Sequence, residues 1–200
     1  KKYNIKSNPF ISLKSQINKY KGSAKIISHH ELIEIKNYCL SNESLYTFLL
    51  AAMINTGCNI KELIGLCFND VYFDNFQSFM IIRSNSKRQI KNLYKIRSIP
   101  LTGISLWGMK KIFSKININE MRQDEDFYKL VEKKIKNILF DYTESKSVSL
   151  ITKTFISRLI KIECPEEILL ELLGRSKKHR IYNRQISLDI KKSWLEQLEM

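Results

Sequence analysis

Few residues in this chain have a chemistry that their spacing supports. Four cysteines, Cys39, Cys58, Cys67 and Cys164, show no C-x-x-C pairing, and three histidines complete no metal cluster. Reduced thiols, no metal and no cofactor are the expectation. Cations are a different matter. The formal net charge is +14, and the charge is clustered rather than spread. Residues 1–30 hold seven lysines with no acid before Glu31, and six basic residues from Arg83 to Arg97 are again unaccompanied by acid. A third group, Arg175, Lys177, Lys178, Arg180 and Arg184, surrounds Tyr182, with His179 three residues before that tyrosine. Three separated basic segments, if the fold brings them to one face, suit a polyanion crossing the surface, most simply duplex DNA.

The elements that must position these groups are legible in outline. An apolar content of 44% over 200 residues suits one domain with one core. The longest apolar run, Phe48 to Ile54, is too short to cross a bilayer, and the N-terminus has no apolar signal region, so a cytoplasmic location is expected. Residues 1–27 lack a sustained period and contain Asn8-Pro9, which reads as a basic linker into a domain spanning residues 28–200. Lys1 in place of Met is expected of a fragment or processed form.

Ser28-His29-His30-Glu31 has capping-box spacing at a helix start. Leu45, Phe48, Leu49, Ala52 and Met53 repeat at three and four residues, predicting one apolar stripe on a helix that ends near Thr56-Gly57, and a short helix follows over 60–66. Three short β-branched or aromatic runs, 71–73, 79–82 and 96–99, predict a small antiparallel sheet that ends at Pro100. Helical spacing returns over 104–113, 127–139, 148–162, 165–173 and 188–198. Pro165 and Gly174 punctuate the fourth of these helices, and the last presents Ile190, Trp194, Leu195 and Leu198. The order predicts a mainly α fold with a small peripheral antiparallel β-sheet.

Several segments, in this order, resemble the catalytic domain of the tyrosine recombinase (phage integrase) family, and the resemblance covers almost the whole chain. Asn8-Pro9 resembles the linker entering that domain. Thr56-Gly57-Cys58-Asn59-Ile60-Lys61-Glu62-Leu63 looks like the family's first box, T-G-x-R-x-x-E-L, and Phe68-Asn69-Asp70-Val71 like the start of the following sheet. Ile90-Lys91-Asn92 and Arg97-Ser98-Ile99-Pro100-Leu101 resemble the lysine-bearing hairpin, and Leu172-Leu173-Gly174-Arg175-Ser176 resembles L-L-G-H-S. Tyr182 then precedes a C-terminal helix.

In that family a tyrosine hydroxyl attacks a DNA phosphodiester without metal, giving a 3′-phosphotyrosyl link. Two arginines and a histidine clamp the non-bridging oxygens, and a hairpin lysine protonates the leaving oxygen. Carried onto this chain, the resemblance makes Tyr182 the candidate nucleophile, Lys91 the candidate general acid and Arg175, at the late histidine position, a candidate phosphate clamp. Three clamp positions are degenerate: the first-box arginine is Asn59, and the second box aligns through Thr154-Phe155 to place Ser149 and Thr152 at its His/Lys and arginine positions. Tyr182 also lies two or three residues closer to Arg175 than the family spacing.

One lost oxyanion donor costs roughly 10²- to 10³-fold in rate. Two lost arginines remove about 10⁴-fold or more. Asn59 and Thr152 donate neutral hydrogen bonds but supply no permanent charge.

The leading expectation is therefore a catalytically impaired recombinase domain that binds double-stranded DNA as a regulator, accessory factor or architectural partner, at the nucleoid when bound. Its phosphate contacts are expected from Lys87, Arg88, Lys95, Arg97, Lys153, Lys177, Lys178 and Arg180. The alternative is an active site-specific recombinase working through Tyr182, Lys91 and Arg175. A third reading takes Trp194, Leu195 and Leu198 as a face that docks on a second copy or a related recombinase, since family members exchange their C-terminal segment. The resemblance also leaves room for an upstream core-binding domain.

Overall fold

The computed structural model describes residues 25–117, 124–175 and 186–199. Its first helix, α1 (His29–Ser41), begins where the capping box predicts: the Glu31 amide donates to Ser28 Oγ at 3.3 Å and the Ser28 amide donates to Glu31 Oε2 at 2.6 Å. A second capping box, Ser44 with Thr47, starts α2 (Leu45–Ile54). Every residue of α2 from Thr47 to Ile54 is buried. The expected single apolar stripe is thus an underestimate, because Leu50, Ala51 and Ile54 fill the other faces and make α2 the central helix of the core.

The short α3 (Ile60–Ile64) ends two residues before the predicted limit. Strands β1 (Val71–Tyr72), β2 (Phe79–Ile82) and β3 (Arg97–Pro100) form one antiparallel sheet in the order β1-β2-β3. Val71 faces Met80, and Met80 in turn faces Ile99. Met80 and Ile82 point into the core while Phe79 and Ile81 are half-buried, as alternation along a one-sided strand requires. Strand β3 starts one residue later than predicted and does end at Pro100.

Helix α4 (Gly103–Lys115) packs on α2, and Gly108 makes the approach possible: a Cβ there would sit 2.6 Å from the Phe48 carbonyl oxygen. Helices α5 (Glu125–Thr143), α6 (Ser149–Lys161) and α7 (Glu166–Leu172) complete the body. Pro165 occupies the N-cap of α7, and Gly174, with φ 61°, follows its end. The last helix, α8 (Leu188–Glu196), packs on β3. Leu195 and Leu198 are buried within this same chain, Trp194 packs against the core and Ile190 is exposed. Most of the face expected to dock on another subunit is therefore used internally. Among the described residues no helix is long and apolar enough to cross a membrane.

Candidate nucleic-acid interface

Four motif-bearing segments meet around two glycines. Gly57 closes the turn after α2 with φ 66°, and a Cβ on it would lie 2.7 Å from the Phe155 ring of α6 and 3.1 Å from Leu173 after α7. Gly174 would place a Cβ 2.7 Å from the Arg97 guanidinium of β3. The first-box turn, the second-box helix, the hairpin strand and the L-L-G turn are thus in mutual contact.

Asn59 follows Gly57 and is the N-cap of α3. Its Oδ1 accepts from the Glu62 amide at 2.9 Å, and its own amide donates to Glu62 Oε2 at 3.0 Å. The position that the resemblance gives to a phosphate-clamping arginine is therefore occupied by a neutral helix cap. Glu62 turns its other oxygen to Arg97, whose Nη1 donates across 2.8 Å.

Arg97 corrects the expectation that it contacts DNA. It is only 2% exposed. Its Nε donates to the Leu172 carbonyl at 2.8 Å, Nη1 also to the Lys95 carbonyl at 3.1 Å, and Nη2 to Cys58 Sγ at 3.9 Å. The guanidinium is a scaffold joining α3, β3 and the end of α7. Arg88 is half-buried and used in the same way: Nη1 donates to the Glu62 carbonyl at 2.7 Å, and Nε and Nη2 donate to the Arg83 carbonyl. Burial pulls its pKa below the ordinary arginine value. Basic composition gave no sign of this, because the partner Glu62 lies far from both arginines in sequence.

The remaining expected contacts divide. Lys91, Lys95, Lys153 and Arg175 are exposed, and Lys87 is half-buried in the wall of a cavity of about 210 Å³ shared with Lys61, Arg88, Glu125 and Tyr128. Lys61 pairs with Glu125 at 3.1 Å and lies over the Tyr128 ring. Ser149 opens α6 exposed, within 2.8 Å of the Ser147 hydroxyl, and Thr152 is half-buried one turn later. Thr154 and Phe155 face inward, Thr154 Oγ1 accepting from the Ile27 amide at 2.9 Å. Tyr182, Lys177, Lys178, Arg180 and His179 lie outside the described residues. Among the described residues no group of three His, Cys, Asp or Glu is placed to hold a metal ion. Burial pushes the thiols of Cys39, Cys58 and Cys164 up to about 12, far from a reactive thiolate at neutral pH.

Two features were not anticipated. Lys191 of α8 is fully buried, its Nζ donating to the Ser98 carbonyl at 2.7 Å and to Glu171 Oε1 at 2.9 Å. Between Lys91 and Arg97 a single 3₁₀ turn, Leu93–Lys95, presents Leu93 and Tyr94 to solvent. Leu93 and Tyr94 between two lysines in a segment without acids were the available signal for that turn.

No family model and no curated protein matches the chain. Solved structures do. The Tn1549 transposon integrase in complex with transposon right end DNA matches over 88% of this chain and 66% of its own, with a TM-score of 0.59 and 14% identity. The chain has the fold of a transposon integrase. A second structure of that integrase, in complex with a circular intermediate DNA, matches over 88% of this chain and 67% of its own, with the same TM-score and identity. The chain thus spans about two thirds of the length of those integrase chains. The integrase-like fold comprises the helical body and the three-stranded sheet, and the hydrogen bonds above are what hold its motif segments together.

Proposed function

We propose that this chain binds double-stranded DNA as a tyrosine-recombinase-like domain whose strand cleavage is severely weakened, acting as a regulator or accessory factor of recombination. The observation that carries the reading is Asn59. At the first clamp position it supplies a neutral amide that is already capping α3. Arg88 and Arg97, the basic residues closest to Glu62 in the hydrogen-bond network, are committed to carbonyls and to that carboxylate. Neither is placed to take over the missing charge.

Binding is supported by a fold shared with a transposon integrase seen on DNA, by the net charge of +14 and by the exposed Lys91, Lys95, Lys153 and Arg175. Residues 28–200 form the proposed domain and residues 1–27 its basic entry segment.

Two measurements on one preparation test this. Duplex affinity falls steeply as salt rises, with the logarithm of the binding constant linear in the logarithm of salt concentration. On a nicked suicide substrate the covalent adduct forms roughly 10⁴-fold more slowly than an intact arginine clamp permits. Negligible duplex binding at low ionic strength overturns the proposal. Rapid adduct formation that Tyr182→Phe abolishes replaces it with an active recombinase.

A further inference from the structure

Leu93 and Tyr94 are two neighbouring exposed apolar residues on one turn. Leu93 is 80% exposed and Tyr94 49% exposed, at consecutive positions of one 3₁₀ turn. Lone exposed leucines are ordinary. This pair is distinguished by its mounting and by its neighbours.

The mounting is stiff. The Lys95 amide donates to the Asn92 carbonyl and the Ile96 amide to the Leu93 carbonyl, both at 3.0 Å, closing the turn on itself. The Lys95 carbonyl accepts from Arg97, which is held by Glu62 and the Leu172 carbonyl. The buried guanidinium therefore anchors the turn from below, and β3 continues directly from it. An apolar tip held this way projects from the body instead of folding back over it.

The neighbours are cationic. Lys91 and Lys95 flank the pair and are exposed, and no acid occurs from Arg83 to Arg97. An apolar side chain between two exposed lysines matches a surface that is anionic at its edges and apolar between them. Duplex DNA seen from the minor groove gains that character when a base step opens: phosphates line both rims, the floor carries base edges, and the apolar base faces are exposed between them only as the step unstacks. Leucine is among the side chains that wedge into base steps there, partly unstacking them and bending the duplex toward the major groove. Tyrosine adds a flat ring for sugar and base faces and a hydroxyl that stays hydrated.

We infer that the Leu93–Lys95 turn is a DNA wedge: Leu93 enters a base step from the minor groove, Tyr94 packs beside it, and Lys91 and Lys95 hold the two rims. This rests on the reading of the chain as a duplex binder. Pyrimidine–purine steps, which unstack most easily, are the preferred entry points.

The test uses the full chain and a duplex of about 30 base pairs carrying donor and acceptor dyes at its ends, with a central TA step containing 2-aminopurine. Wild-type protein brings the ends closer and raises 2-aminopurine fluorescence. The Leu93→Ala variant binds within about tenfold of wild type but loses most of both signals, and Tyr94→Ala loses part of them. Its exposed position lets Leu93→Ala fold normally. Binding without any change in either signal, or a Leu93→Ala variant that bends and unstacks like wild type, overturns the wedge while leaving duplex binding intact. The latter result would point to a protein partner for the tip. Absence of duplex binding by the wild type instead overturns the reading on which the wedge rests.

Discussion

Lys191 on α8 and Glu171 on α7 form an ion pair of 2.9 Å in which the lysine is fully buried and the glutamate 12% exposed. Glu171 also accepts from the Ile186 amide at 3.0 and 3.2 Å, so one carboxylate holds both the start of the C-terminal segment and its helix. Removing the cation leaves that carboxylate short of a partner in a largely buried site. Lys191→Ala therefore lowers stability by about 3–5 kcal/mol in urea titration. Limited proteolysis of the variant cuts around α8 first. A loss below about 0.5 kcal/mol, the range of surface substitutions, would refute a buried latch.

Arg97→Lys separates scaffold from DNA contact. Lysine keeps the charge but cannot direct donors to Glu62, the Leu172 carbonyl and the Lys95 carbonyl together. The variant loses at least about 2 kcal/mol of stability. Under conditions where it remains folded, the salt slope of duplex binding is unchanged, whereas Lys91→Ala and Lys95→Ala each reduce that slope by about one.

Asn59→Ala removes the cap of α3. The expected cost is about 1 kcal/mol by thermal or urea unfolding. Duplex affinity stays the same. A large fall in affinity with stability preserved would show Asn59 to be a DNA ligand.

Acid sensitivity follows from Asp70. Burial alone would raise its pKa, but the Cys67 amide, Arg83 and Asn85 all donate to the carboxylate and hold it below the usual aspartate value. A group whose pKa is depressed on folding contributes stability that is complete above its unfolded pKa and lost as pH falls through the folded one. Asp70→Asn is therefore less stable than wild type at neutral pH, and the gap closes below about pH 4. Urea midpoints measured from pH 7 to pH 3 check this, and a gap independent of pH would exclude the ionised carboxylate as the cause.

The sequence shows the elements whose signals are local. Ser28 and Glu31 mark the start of α1, Gly57 and Gly174 take the left-handed conformations that end their helices, and Pro100 closes β3. All of these act within a few residues. The site was less legible. Charge counts place an arginine at the surface by default, and nothing near Arg97 in the chain names Glu62, 35 positions away, or Leu172, 75 positions away, as its partners. Lys191 was hidden for the same reason, since Ser98 lies 93 residues earlier. Asn59 was visible as an uncharged residue where the resemblance expects an arginine, but its role as a cap appears only once α3 has an observed start.

The connections of Arg97 also bear on inheritance. Parts of the first box, the hairpin and the L-L-G segment are tied to one guanidinium, so a change at Glu62, Arg97 or Gly174 would be eliminated for misfolding before any test of recombination. That constraint does not extend to Ser149, exposed at the start of α6, or to Thr152, half-buried one turn later. Glu62, Arg97 and Gly174 are thus held by mechanical necessity, whether or not the chain cuts DNA.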